Sequence, residues 1–196
     1  MGSRKEHLQL DVFSLSMNNH IHLEPEWIPR ELNERADYLS RIVDYDDWKL
    51  NPVVFGVLEQ VWGPHTVDRF ASCNNTQLPR FNSRHWSPGT EAMDAFTSHW
   101  GGENNWWCPP VALVPRVIRH AQACGAVGTL VVLCWFSAPF WPILCPDSNF
   151  FADFVVDIRE LPRFQHLFLP GLSGAVLFNG ELPNTPVLAL RCNFSS

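Results

Sequence analysis

"NNWWCPPVALV", residues 104–114, joins three kinds of chain in one short stretch. Two asparagines and two tryptophans make an extended, aromatic run. Cys108-Pro109-Pro110 follows, and then an apolar segment of helical character. Proline holds φ at about −65°, removes an N–H donor and pushes the residue before it toward extended backbone. A strand must therefore stop at Cys108, and the chain leaves it through a rigid corner. Leu113, Val117 and Ala121 then share one side of a helix over 112–124; Pro115 fits its first turn and Gly125 is placed to end it. GTLVVLCW (128–135) reads as a continuous apolar strand, the pattern of a strand buried on both faces of a parallel sheet. The Pro-Pro corner itself has two readings, an ordinary rigid turn or the remnant of a loop that once carried chemistry.

Working outward, TVDRFA (66–71) reads as a strand, and Phe55, Leu58 and Trp62 as the inner side of a helix closed by Gly63-Pro64. FVVDIREL (154–161), AVLFNG (175–180) and PVLALRCNF (186–194) supply late strands, the last two placed to pair as a hairpin across LPNT. Toward the N-terminus, Leu8, Val12 and Leu15 stand at helical spacing in residues 5–18. HIHLE (20–24) alternates like a short strand, and NERADYLSRI (33–42) reads as a helix capped by Asn33. VDYDDWKLNP (43–52) is acidic, polar and ends at a proline, as a linker does. The expected organisation is a small α/β appendage over 1–45, a linker over 46–54, and a three-layer α/β domain over 55–196 whose mainly parallel sheet ends in an antiparallel hairpin.

Of 196 residues, 46% are hydrophobic and 17% charged, enough apolar content for a packed core and too much for a disordered tail. Net charge is −6, and it is uneven: residues 1–50 carry six Lys/Arg against ten Asp/Glu, while 111–196 balance at five and five. Such a chain lacks the broad positive field that drives sequence-independent nucleic-acid binding. The local exception runs from Arg69 to His85, with Arg69, Arg80 and Arg84 and no carboxylate. The six cysteines form no CxxC pair and no zinc-ligand spacing, so they read as free thiols in a reducing compartment. No apolar run reaches the ~18 residues of a membrane span, and MGSRKEHLQLDVF has no signal-peptide apolar block. The expected location is intracellular, cytoplasmic or nuclear, and not secreted, with no membrane partner.

EWIPRELNERADYLSR (26–41) resembles the end of a retroelement ribonuclease H domain, where the last strand and final helix carry N-x-x-A-D-x-L-S. In that family the Asp of the A-D pair is one of several carboxylates around two metal ions about 4 Å apart; here it is Asp37. The resemblance covers only that domain's tail, so Asp37 is expected to be an unoccupied remnant. No divalent metal and no ribonuclease activity are expected.

Beyond the linker, WGPHTVDRFASCNNTQLPRF (62–81), MDAFTSHW (93–100), NNWWCPPVALV and TLVVLCWFSAPFW (129–141) together resemble the phage-type Dam family of DNA adenine-N6 methyltransferases. They resemble most the copy downstream of ribonuclease H in DIRS-like tyrosine-recombinase retrotransposons. The resemblance implies a Rossmann-like, methyltransferase-type sheet, S-adenosylmethionine as cofactor, DNA as substrate, and the upstream reverse transcriptase–ribonuclease H region of a parent polyprotein as partner. It places Cys108, Pro109, Pro110 and Val111 in the catalytic D/N/S-P-P-Y/F loop. Asp68, Phe70, Ala71, Ser72 and Asp94 fall at the cofactor, and Arg69, Arg80, Arg84 and Trp107 are candidates for nucleic acid.

Three departures bear on activity. A thiol is a weak acceptor for the adenine amine, and valine has no ring to stack on a flipped base. The loop after TVDRF also lacks glycine. The expected function is therefore a Dam-like methyltransferase domain that is catalytically degenerate. The alternative is a non-catalytic nucleic-acid-binding or scaffolding module. Two residue-level alternatives stay open: Asp68 and Asp94 either serve a cofactor or cap loops and pair with Arg69 and Arg80, and Trp106 and Trp107 either stack on a base or lie buried against the helix.

Overall fold

The computed structural model describes residues 22, 48–147, 150–171 and 177–195. The chain divides into two compact units, Met1–Ile42 and Val43–Ser196. Of the first, only His22 is described. The elements expected over 5–18, 20–24 and 33–42, and Asp37, lie outside the described residues.

The second unit begins within the expected linker. Trp48–Leu50 is a strand, β1, paired antiparallel with β8 (Phe168–Pro170). Helix α1 (Pro52–Trp62) starts immediately after it. Asn51 caps α1 by accepting from Val53 N at 3.0 Å, and Pro52 fills the first turn, where a missing N–H costs nothing. Val54, Phe55, Leu58 and Trp62 face inward at helical spacing. Acidic, polar residues therefore precede a strand and a capped helix rather than a free tether.

A mixed five-stranded sheet carries the fold, in the order β2-β5-β6-β9-β7. Strands β2 (Val67–Asp68), β5 (Asn104–Trp107) and β6 (Val127–Leu133) run parallel. Strand β9 (Val187–Asn193) pairs antiparallel with β6, and β7 (Val155–Glu160) pairs antiparallel with β9. A small parallel pair, β3 (Asn82–Ser83) with β4 (Ala92–Met93), stands beside it. Two of the four strand pairings are parallel and two antiparallel, so the sheet is mixed, with β9 alone running against the other four strands.

The C-terminal hairpin does not form. Leu177–Gly180, within AVLFNG, is a 3-10 turn, and β9 inserts between β6 and β7. Its side chains explain why. Val187 and Ala189 enter one apolar cluster while Leu188, Leu190 and Cys192 enter the other, and a strand apolar on both faces belongs inside a sheet.

Strand β6 shows the same alternation. Leu130 and Val132 pack with Val114, Val117, Ile118 and Ala121 of α2 (Val114–Ala123) and with Trp141 and Leu144 of α3 (Trp141–Leu144). Val131 and Leu133 pack with Phe55, Leu58 and Trp62 of α1 and with Trp48 and Phe168. Helix α2 ends at Gly125, whose φ of +56° suits glycine. Among the described residues, no helix is long and apolar enough to cross a membrane. All six cysteines are free: Cys108, Cys145 and Cys192 are buried, and Cys73 is exposed.

Candidate functional site

Strands β2 and β5 are parallel neighbours, with Asp68 opposite Trp106, so Asp68 ends one strand and Cys108 follows the other at the same carboxyl edge of the sheet. That is where open α/β sheets place ligands. The chemistry of each residue there is set by what it already touches.

Asp68 is 3% exposed. Its Oδ1 accepts from Phe70 N at 3.3 Å and its Oδ2 from Gln77 N at 3.1 Å, so the carboxylate clasps the two ends of its own loop. Burial pushes its pKa up to about 6, with the two backbone donors pulling the other way. Within the loop, Ser72 N donates to Asn75 Oδ1 at 2.6 Å and Ala71 N to Asn82 O at 3.1 Å. Phe70 packs on Phe96 and Trp100, centroids 5.6 and 6.0 Å apart. Asp94, at φ +56°, caps the 3-10 turn Ala95–Thr97 through Phe96 N and lies 3.7 Å from Arg116. The Phe70 and Phe96 rings, not the two carboxylates, join these loops.

Cys108 is buried among Leu50, Trp106 and Val131, and burial, reinforced by the Asp68 charge, pushes its thiol far above the ordinary range. A thiol held in that form is neither a nucleophile nor a useful acceptor. Pro109 is buried and Pro110 extended at φ −49°, ψ 139°. Leu113 N then donates to Pro110 O at 2.9 Å, starting the 3-10 turn Val111–Leu113 that leads into α2. The rigid corner is real. Beside it, Trp48, Pro109, Val111, Leu133, Phe140 and Phe168 help line a cleft of about 10 Å³ with an apolar wall. That volume admits about one water, against ~300 Å³ or more for a cofactor-sized ligand. Asp68 is turned onto its own loop, and the cleft touches none of Asp68, Phe70, Ala71, Ser72 or Asp94.

The basic candidates separate. Arg69 is 5% exposed; its Nε donates to Asn105 Oδ1 and its Nη1 to Asn82 Oδ1, each at 2.8 Å, with Trp100 5.7 Å away. Burial lowers its pKa to about 10. Arg69 is thus a strut between strands, not a phosphate ligand. Arg80 is paired with Glu91 at 2.6 Å and Glu103 at 3.0 Å, carboxylates supplied from outside the acid-free stretch. Arg84 is exposed, as is Trp86 two positions on, which is 67% exposed. Trp107 is 1% exposed, packed 5.6 Å from Trp100 and over Gly128; it offers no ring to a base. Its Nε1 is buried without a hydrogen-bond partner.

One polar cluster was not legible in the sequence. His65 Nδ1 bonds Glu59 Oε2, and His65 Nε2 lies 2.7 Å from Thr129 Oγ1. The order acid, imidazole, hydroxyl is that of a nucleophile relay. Thr129, however, is 0% exposed in mid-β6, so the cluster serves to clasp the end of α1 onto the sheet. Only a His directly after Gly-Pro marked it, and that pattern carries no chemistry by itself.

With this geometry the domain is a mixed α/β unit in which Asp68 and Cys108, at the carboxyl edge of the sheet, are both buried. No protein-family model matches the chain, and no curated protein matches it significantly.

Proposed function

We propose that residues 55–196 are a Dam-like methyltransferase domain of retrotransposon origin that no longer transfers a methyl group. Helices against both faces of the sheet, and the Asp68 and Cys108 loops on adjacent parallel strands, support a three-layer, Rossmann-like origin. The observation that carries the loss of activity is Cys108: a buried, protonated thiol stands where the reaction needs an exposed acceptor for the adenine amine. Val111 adds no stacking ring.

Calorimetry with S-adenosylmethionine is expected to give no binding heat, and a labelled-methyl assay on DNA no transfer. Robust methyl transfer by the wild-type chain would refute the proposal. The second reading, a non-catalytic scaffolding module, is favoured by the outer face of α1. Val53, Val57 and Val61 are 76%, 56% and 49% exposed there, one stripe at helical spacing suited to a protein rather than to nucleic acid. In a parent polyprotein that partner would be the reverse transcriptase–ribonuclease H region.

A further inference from the structure

Strand β7 is the outer strand of the five-stranded sheet, and among the described residues β9 alone pairs with it. Leu161 N donates to Val187 O at 2.8 Å, which sets the phase of that ladder. Residues 157, 159 and 161 turn their backbone groups toward β9, and Ile158 and Glu160 turn theirs outward. The same strip is open to solvent: Val156 is 57% and Ile158 37% exposed, and the side chains of Arg159 and Asp157 are 56% and 43% exposed. A strand edge with outward backbone groups is a template for another strand.

The sequence of β7 selects which strand. When two copies pair antiparallel about a two-fold axis, outward residues must face outward residues to hydrogen-bond. An axis at 156 would fall in the Val155/Asp157 irregularity, and one at 160 would set Ile158 opposite Pro162, which has no N–H, so the axes through residue 157, 158 or 159 remain. An axis at Asp157 sets two carboxylates opposite each other, and one at Arg159 sets two guanidinium groups opposite each other. Both are unfavourable. An axis at Ile158 sets Asp157 opposite Arg159 of the second copy twice, with Ile158 against Ile158.

The present contacts prepare this exchange. Ile158 N now donates to Asp157 Oδ1 at 2.8 Å. On pairing, that N–H takes the Ile158 carbonyl of the second copy, and the released oxygen takes the opposing guanidinium. Asp157 Oδ2 keeps Trp62 Nε1, at 3.1 Å. The irregularity between Val155 and Asp157 shortens the ladder without touching its centre. We propose that β7 is a homodimerisation edge, with two copies joined by an antiparallel β7–β7 ladder centred on Ile158. This inference is independent of the methyltransferase reading.

Sedimentation of the full chain, over a concentration series reaching the hundred-micromolar range, tests it. The wild type is expected to dimerise reversibly. Arg159→Asp turns two favourable pairs into two repulsive ones and is expected to weaken association by about tenfold. Asp157→Arg should do the same. Arg159→Lys, which keeps the charge, should behave as the wild type whether or not Asp157→Arg folds. Mixing Arg159→Asp with Asp157→Arg restores both opposite-charge pairs, so the mixture should associate where neither variant does alone. A wild type that stays monomeric throughout, an Arg159→Asp variant that dimerises like it, or two folded variants that ignore each other on mixing would each overturn the proposal.

Discussion

Asp68 shows how one residue type takes a structural or a chemical role according to its surroundings. With two backbone donors and, among the described residues, no cation bonded to it, its carboxylate is held by its loop while burial works against its charge. The sign of the pH effect follows. A folded pKa raised from 3.8 to about 6 means that the folded state binds the proton more tightly than the unfolded chain does. The Asp68 contribution is therefore fully present below pH 3.8 and is lost as pH rises through about 6. The span corresponds to about 3 kcal/mol. His65 opposes it: burial lowers its pKa from 6.5, so its contribution is lost as the solution becomes acidic. Comparing denaturant unfolding of wild type and Asp68→Asn from pH 7.5 to pH 4 separates the two. The wild type should gain on the variant as pH falls, and a flat difference would mean that the Asp68 carboxylate is hydrated. Sequence reading left open whether Asp68 serves a cofactor or a loop, because the deciding donor, Gln77 N, belongs to a residue chosen by the fold of the loop and not by any motif.

At the scale of elements, local signals were good where the deciding forces are local. The Pro-Pro corner, the helix ending at Gly125, the helix over Phe55–Trp62 and the doubly buried β6 all follow from φ restriction and apolar period. They failed where pairing partners decide. AVLFNG has strand composition but no partner drew Leu177–Gly180 into a ladder, and Trp48–Leu50 became a strand only because Phe168–Pro170 lies beside it. The cap of α1 can be tested directly. Asn51→Ala removes the acceptor for Val53 N and the donor to His166 O, and should cost about 1 kcal/mol of stability in thermal unfolding. Close packing between β5 and β6 gives a second test. A Cβ at Gly128 would meet Asn105 O at 2.5 Å and the Trp107 ring at 2.8 Å, so Gly128→Ala should destabilise by about 1–3 kcal/mol. An unchanged melting temperature would show that Trp107 can leave its place, and with it the argument that it is closed to a base.

For the whole molecule, charge is the term that sequence determined best. A net charge of −6 opposes nucleic acid wherever the chain folds its arginines. The structure strengthens that opposition by burying Arg69 and pairing Arg80 with two glutamates. At about 150 mM salt, where screening acts within ~8 Å, the protein is expected not to retain DNA in a gel-shift or anisotropy titration. Tight binding there would revive the nucleic-acid module. By itself the sequence determined composition, charge, the rigid corner at Pro109-Pro110 and the strands and helices whose period is self-evident, since these depend on residues a few positions apart. Only the tertiary structure decided that the sheet is mixed, that β9 lies between β6 and β7, that Cys108 and Trp107 are sealed in the core, and that Asp68 turns onto its own loop. The Asp68 turn depends on the fold of a loop reaching to Gln77, and the others on neighbours farther along the chain, as Trp48 depends on Phe168 and His65 on Thr129; burial removes a side chain's chemistry without leaving a mark in the order of residues.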